Sequence, residues 1–193
     1  MIYDYKMQHN FLHTHYGPMF SGKTTALIRA YKQCLMQNIS VICFKPKLDT
    51  RYSNSGEVVS HNRSRIPATF IDESNPNELL DKLNGESTVL IDEVQFFDPS
   101  IIQTIEALLL QNIKVVVAGL DLDYHRQPFG PTLALVEIAK AKNGQVKQHF
   151  ARCDGCSAKA PFSYRKRKQQ EQVLVGGAEL YGACCEACYE ELA

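Results

Sequence analysis

The sequence predicts an α/β fold: a mostly parallel sheet with helices on both faces, and a small cysteine-rich unit after it. Three observations predict this. Short apolar runs alternate along residues 10–150 with stretches that repeat apolar side chains at helical spacing. Between the first run and the first helical stretch stands Gly17-Pro18-Met19-Phe20-Ser21-Gly22-Lys23-Thr24, a complete G-x-x-x-x-G-K-[ST] phosphate-binding loop. Five of the seven cysteines fall in the last 41 residues.

Residues 10–16 form the first expected strand. Leu12, Thr14 and Tyr16 share one face, and Phe11, His13 and His15 share the other. Two histidines on a central strand read as structural groups satisfied by neighbours. Residues 23–37 place Ala26, Leu27, Ala30, Tyr31 and Leu35 at helical spacing. Residues 39–44 are a buried-type strand stopped by Pro46. The polar stretch 47–65 reads as a long mobile loop, of a length that is often functional. A strand is expected over 68–71, a helix over 76–83 and a strand over 87–91. A helix over 99–110 precedes a valine-rich strand over 113–118. Residues 131–141 repeat Leu133, Leu135, Val136 and Ile138 as a helix, and 145–150 form a last strand. Ligands gather at the carboxyl ends of parallel strands. That rule puts Gly17, Asp92-Glu93 and residues 119–124 along one edge. The composition changes near Ala151, so the expected units are a nucleotide-binding domain over 1–150 and a metal-binding unit over 151–193.

With 45% apolar residues, the chain can bury a solid core. Lys plus Arg and Asp plus Glu number 21 each, so no general nucleic-acid surface is expected. Residues 1–8 carry no signal-peptide core, and no run of 18 apolar residues exists. The expectation is a cytoplasmic protein without a membrane span. Clustered cysteines in that setting favour a metal site over a disulfide framework.

The loop glycines admit phosphate close to backbone N–H groups. Lys23 would reach the β- and γ-phosphates, and the Thr24 hydroxyl would ligate Mg²⁺. A helix starting there adds its positive end. Asp92 ends an apolar strand where phosphate-loop proteins hold Mg²⁺. Glu93 points elsewhere and suits removal of a proton from an attacking hydroxyl; a solvated strand end is the alternative. Residues 119–131 mix aromatics with glycine and proline. They suit one wall of a flat pocket, with Tyr124 or Phe129 against a ring, or an ordinary surface turn. Cys153-x-x-Cys156 and Cys185-x-x-Cys188 lie 28 residues apart. They present four thiolates to tetrahedral Zn²⁺ with no open position, which is a structural site. Cys184 competes with Cys185, but only Cys185 keeps the spacing to Cys188. The basic run 165–168 between the knuckles belongs to a phosphate-facing lid or to a solvated hairpin.

The chain resembles the zinc-ribbon thymidine kinases. The resemblance rests on residues 17–24, Asp49-Thr50-Arg51-Tyr52, Asp92-Glu93-Val94-Gln95-Phe96-Phe97, Gly119-Leu120-Asp121 and Pro128-Phe129-Gly130. Both CxxC knuckles and Gly176-Gly177-Ala178 with Tyr181 complete it. It implies a P-loop, RecA-like domain with a zinc-ribbon lasso, and transfer of the ATP γ-phosphoryl group to the 5′-hydroxyl of thymidine. Deoxyuridine is an implied second substrate. By resemblance Glu93 is the general base. Residues 17–24, that is Gly17, Pro18, Met19, Phe20, Ser21, Gly22, Lys23 and Thr24, serve ATP·Mg²⁺ with Asp92, Gln95, Asp49 and Arg51. Met19, Phe96, Leu120, Tyr124 and Phe129 would surround the base, with Ser163, Arg165 and Tyr181. Main-chain groups of Gln172, Val173, Leu174, Val175 and Gly176 would read its edge. A homotetramer and feedback by dTTP are implied too. The chain departs from the family at His13-Thr14-His15, and in having Tyr124 where phenylalanine is common. The competing reading is a zinc-ribbon ATPase acting on nucleic acid, against which the balanced charge argues.

Overall fold

The computed structural model describes residues 11–49, 56–60, 63–166 and 176–192. The strands of the main sheet are β1 (Leu12–Tyr16), β2 (Val41–Pro46), β5 (Thr69–Ile71), β6 (Thr88–Ile91), β7 (Lys114–Gly119) and β8 (Gln145–Gln148). They line up in the order β5-β2-β6-β7-β1-β8, and every neighbouring pair is parallel. The helices are α1 (Lys23–Met36), α2 (Glu78–Asp81), α3 (Ile101–Leu110) and α4 (Thr132–Ala141).

The two-residue period of the strands explains helices on both faces. Val89, Ile91, Val115 and Val117 point to one side, where Ile101, Ile105 and Leu108 of α3 and Leu135 of α4 cover them. Leu90, Val116 and Ala118 point to the other, under Leu27 and Ile28 of α1. Full burial of each such side chain stabilises the fold by about 1.5–3 kcal/mol. Strands buried on both faces read as continuous apolar runs, which is why β6 and β7 stand out in the sequence.

The expected loop over residues 47–65 is corrected in its second half. β3 (Glu57–Val59) pairs antiparallel with β4 (Arg65–Pro67). Val58 and Ile66 are buried against the α1 side of the sheet. Polar flanks hid a two-residue alternation three residues long. Residues 50–55 and 61–62 lie outside the described set. Three boundaries also differ. β2 runs through Pro46, which pairs with Ile71 at the strand end where its missing N–H costs nothing. The helix expected over 76–83 is only Glu78–Asp81. β8 ends at Gln148, although the His149 N–H still donates to the Tyr16 carbonyl at 2.7 Å.

After residue 150 come β9 (Ala151–Arg152) paired with β10 (Lys159–Ala160), β11 (Phe162–Arg165) paired with β12 (Tyr181–Cys184), and α5 (Glu186–Leu192). Ala151, Cys153, Ala160, Tyr164, Ala183 and Cys184 form a separate small core there. Among the described residues no helix is long and apolar enough to cross a membrane.

Candidate active site

The strand order fixes the site. β7 lies between β6 and β1, with Tyr16 beside Gly119 and Ile91 beside Val117. The segments leaving these three strands therefore emerge side by side. They are the phosphate loop, Asp92-Glu93 and the residues after Gly119.

The phosphate loop is shaped by backbone conformations that glycine favours. Gly17 has φ 136°, and a Cβ there would run into the His149 carbonyl. Gly22 caps α1 at φ 87°. The Lys23 ammonium donates to the Pro18 carbonyl at 2.6 Å, and the Ser21 hydroxyl does so at 2.7 Å. The Met19 N–H donates to Ser163 Oγ at 2.9 Å, which ties the loop to β11. Thr24 Oγ1 donates to Asp92 Oδ1 at 3.4 Å. This pair of hard oxygens beside the loop suits Mg²⁺.

Glu93 holds φ 51° and ψ 44°, a left-handed conformation worth about 1–3 kcal/mol of strain for such a residue. The turn directs its side chain away from that of Asp92 and into the cleft. Gln95 Nε2 donates to Glu93 Oε2 at 2.6 Å, and Gln95 Oε1 accepts from the Leu120 N–H at 2.9 Å. Asp121 follows. Burial pushes its carboxyl up, opposed by nearby backbone N–H groups and by the Lys23 ammonium.

A cleft of about 580 Å³ joins these parts. Residues 19–25, Glu93, Leu120 and Tyr181 line it, with Val59 from the hairpin. Met19, Leu120 and Tyr181 form one apolar patch, against which Tyr124 and Phe129 pack. Phe96 meets Phe129 edge to face at 5.7 Å. Arg165 lies over the Tyr124 ring at 3.9 Å and donates to the Tyr181 hydroxyl at 2.9 Å. So the wall is made from both halves of the chain.

Asp49 sits elsewhere, paired at 3.2 Å with the buried Lys45 ammonium of β2. Arg51 and residues 172–175 (Gln172, Val173, Leu174 and Val175) lie outside the described residues, whereas Gly176 is buried. Sequence reasoning missed Arg152, which lines the same cleft as the phosphate loop, and Lys166 of the basic run 165–168 lines it too. It also missed Arg126, stacked on the Phe162 and Tyr189 rings at 4.1 and 3.5 Å and paired with Glu186 at 2.7 Å. The Tyr189 hydroxyl donates to the Tyr124 carbonyl at 2.8 Å. A lone arginine in a loop carries no sequence signal for such stacking.

Cys153, Cys156, Cys185 and Cys188 bring their sulfurs within 4.8 Å of one another. A tetrahedron with zinc–sulfur bonds of about 2.3 Å has edges of about 3.8 Å, so the set fits the ion. Backbone N–H groups, that of Cys185 foremost, lower the Cys153 thiol to about 6. Cys184 is fully buried in the small core, and burial pushes its thiol up to about 11. It stays outside the cluster, as the spacing requires.

A thymidine kinase family profile matches residues 10–189. The chain belongs to the thymidine kinase family. Its relatives include a thymidine kinase of Porphyromonas gingivalis, 39% identical over 91% of this chain and 82% of the relative. One of Bacteroides fragilis is 41% identical over 90% and 84%. One of Onion yellows phytoplasma is 39% identical over 88% and 81%. Among solved structures, a large terminase from a thermophilic bacteriophage aligns over 73% of this chain and 41% of its own, at 9% identity and a TM-score of 0.49. That likeness is too remote to inform function. Family membership makes the nucleoside kinase class the frame for this cleft.

Under the phosphate loop His15 Nδ1 and His149 Nε2 meet at 3.0 Å. This satisfies the histidine that the sequence placed on a central strand. Burial foremost, then His149, Lys147 and His13, lower His15 from 6.5 to about 4. The folded value lies below the unfolded one, so the unfolded chain binds more protons between the two. Stability is then complete above about 6.5 and declines as pH falls toward about 4. Melting temperature measured from pH 7.5 to 4.5 falls less steeply in His15→Gln. Equal slopes in the two proteins would remove His15 from the acid response.

Proposed function

We propose that this chain is a thymidine kinase that transfers the γ-phosphoryl group of ATP to the 5′-hydroxyl of thymidine, giving dTMP and ADP. One observation carries the reading: a complete phosphate loop, a strained carboxylate and an apolar wall face a single cleft. The loop backbone and Lys23 hold the triphosphate. Thr24 and Asp92 would hold Mg²⁺, which supplies charge neutralisation at the β- and γ-oxygens when bound. Met19, Phe96, Leu120, Tyr124, Phe129 and Tyr181 form the nucleoside pocket, with Ser163 and Arg165 behind it. Residues 172–176 read the base edge.

In the reaction Glu93 takes the proton of the 5′-hydroxyl. The freed oxygen pair forms the new bond to the γ-phosphorus. The bond from that phosphorus to the β–γ bridging oxygen breaks, and its electron pair leaves with ADP. Positioning and electrostatics supply most of the rate. Closure by the C-terminal unit keeps water, a rival acceptor, away.

The four cysteines hold a structural Zn²⁺. We propose units over 1–150 and 151–193, a division that the separate small core after residue 150 supports. We also propose a cytoplasmic homotetramer under feedback by dTTP, with deoxyuridine as a second substrate. Incubation with ATP·Mg²⁺ and a nucleoside panel tests the activity. The expected result is ADP formed together with dTMP, and less of both when dTTP is added. No phosphorylation of thymidine or deoxyuridine would overturn the reading, and ATP hydrolysis stimulated by DNA would favour the nucleic-acid ATPase instead.

A further inference from the structure

We infer that Gln95 is a positioning residue that fixes the Glu93 carboxylate and locks it to the nucleoside wall. The inference rests on the reading of Glu93 as the proton acceptor. It assigns Gln95 a task different from the ATP contact that the family resemblance implies.

The chemistry leaves one orientation for the Gln95 amide. The Leu120 N–H can only donate, so the oxygen must face it. A carboxylate can only accept, so the NH₂ group must face Glu93. Both ends are therefore engaged, and Gln95 is 2% exposed. The surroundings fit the same slot. A Cβ on Gly119 would crowd Val94 Cγ1 at 2.7 Å and Gln95 Oε1 at 3.0 Å. A Cβ on Gly130 would run into the Gln95 main chain. Gly119 at the end of β7 thus clears space for the Gln95 side chain, and Gly130 just before α4 admits its main chain.

The consequence is mechanical. Glu93 sits in a conformation that an unsupported glutamate leaves easily. The 2.6 Å bond to Oε2 holds the carboxylate in the cleft, where the substrate hydroxyl would meet it. The second bond fixes that carboxylate relative to Leu120, which forms the pocket wall. Acceptor and substrate are then held by one amide, and a displacement of about 1 Å between them can cost about 10²-fold in rate.

Two variants of the full-length protein separate this role from simple packing. Gln95→Met removes both bonds. Gln95→Glu keeps the size and the acceptor for Leu120 but sets a carboxylate against Glu93. If Gln95 only supports Leu120, Gln95→Glu retains activity. If it positions Glu93, both variants at pH 8 lose about 10²-fold in kcat. KM for ATP·Mg²⁺ stays within about threefold of the parent, because uniform ATP binding is untouched. Where Gln95→Met does not fold, Gln95→Glu alone decides. A near-normal kcat in Gln95→Glu overturns the inference, and so does a loss confined to KM for ATP. A parent chain that phosphorylates no nucleoside overturns the proposed function and this role with it, and that failure is visible before any substitution is made.

Discussion

Glu93→Gln lowers turnover by about 10²–10⁴-fold, the loss expected when a general base is removed, while nucleoside and ATP·Mg²⁺ still bind. The replacement is isosteric. Its amide oxygen still accepts from Gln95 Nε2, so the bond now 2.6 Å long survives in one amide orientation. The left-handed backbone at Glu93 is unchanged in kind, because the variant has the same branching. What disappears is a lone pair able to take the 5′-hydroxyl proton. The effect should therefore fall on kcat, with kcat/KM falling in parallel. Steady-state kinetics and calorimetric titration of thymidine check both halves. Turnover within about threefold of the parent would take Glu93 out of the mechanism and leave Asp92 or Asp121 as the carboxylate to examine. Burial pushes the Asp121 carboxyl up, which raises its affinity for a proton.

The sheet was legible because its strands are buried on both faces. Nothing but apolar residues fits Val89 to Ile91 or Val115 to Ala118 between two layers of helices. The phosphate loop was legible because only glycine accepts the approach of His149 at Gly17 and the turn at Gly22. The cysteine knuckles were legible because thiolates on one ion demand fixed spacing. Other parts were not legible. Val58 and Ile66 belong to a hairpin three residues long on each side, and so short an alternation is lost among polar neighbours. Arg126 gives no signal because its partners, Phe162, Glu186 and Tyr189, lie far along the chain. Gln95 was visible as part of a motif, yet its task was not. Only the geometry tells which groups its amide meets.

The Arg126 and Tyr189 contacts also say how the cysteine cluster reaches the chemistry. α5 carries Cys188 and Tyr189 side by side and starts at Glu186. Those residues hold the Tyr124 segment through one hydrogen bond, an ion pair and a ring stack. Tyr124 in turn packs on the Met19–Leu120–Tyr181 patch. The phosphate loop has a separate route to the same unit, the Met19 N–H bond to Ser163 on β11. The cluster therefore sits nearer, in mechanical terms, to the proposed nucleoside pocket than to the phosphate loop.

Cys156→Ser tests that ordering. A serine hydroxyl is a poor, mostly protonated ligand beside three thiolates, and the fit of the set to tetrahedral zinc is lost. Zinc content measured by mass spectrometry is expected to fall from one per chain to well below that, and the melting temperature to fall with it. Without the ion, α5 keeps the packing of Tyr189 and Leu192 on the small core around Tyr164 and Cys184 and the ion pair of Glu186 with Arg126. Its grip on Tyr124 then weakens by the equivalent of about one hydrogen bond, roughly 1–1.5 kcal/mol. That amounts to about a tenfold rise in KM for thymidine. KM for ATP should change far less, since Lys23, Thr24 and Asp92 bond within the phosphate loop and the sheet edge. Zinc still bound at one per chain would show that the four cysteines are not the ligand set. Zinc lost with KM for thymidine unchanged would show that the Arg126 and Tyr189 contacts do not transmit to the pocket. A matched rise in both KM values would place the metal's influence on the whole cleft, through the bond from Met19 to Ser163 instead of through Tyr124.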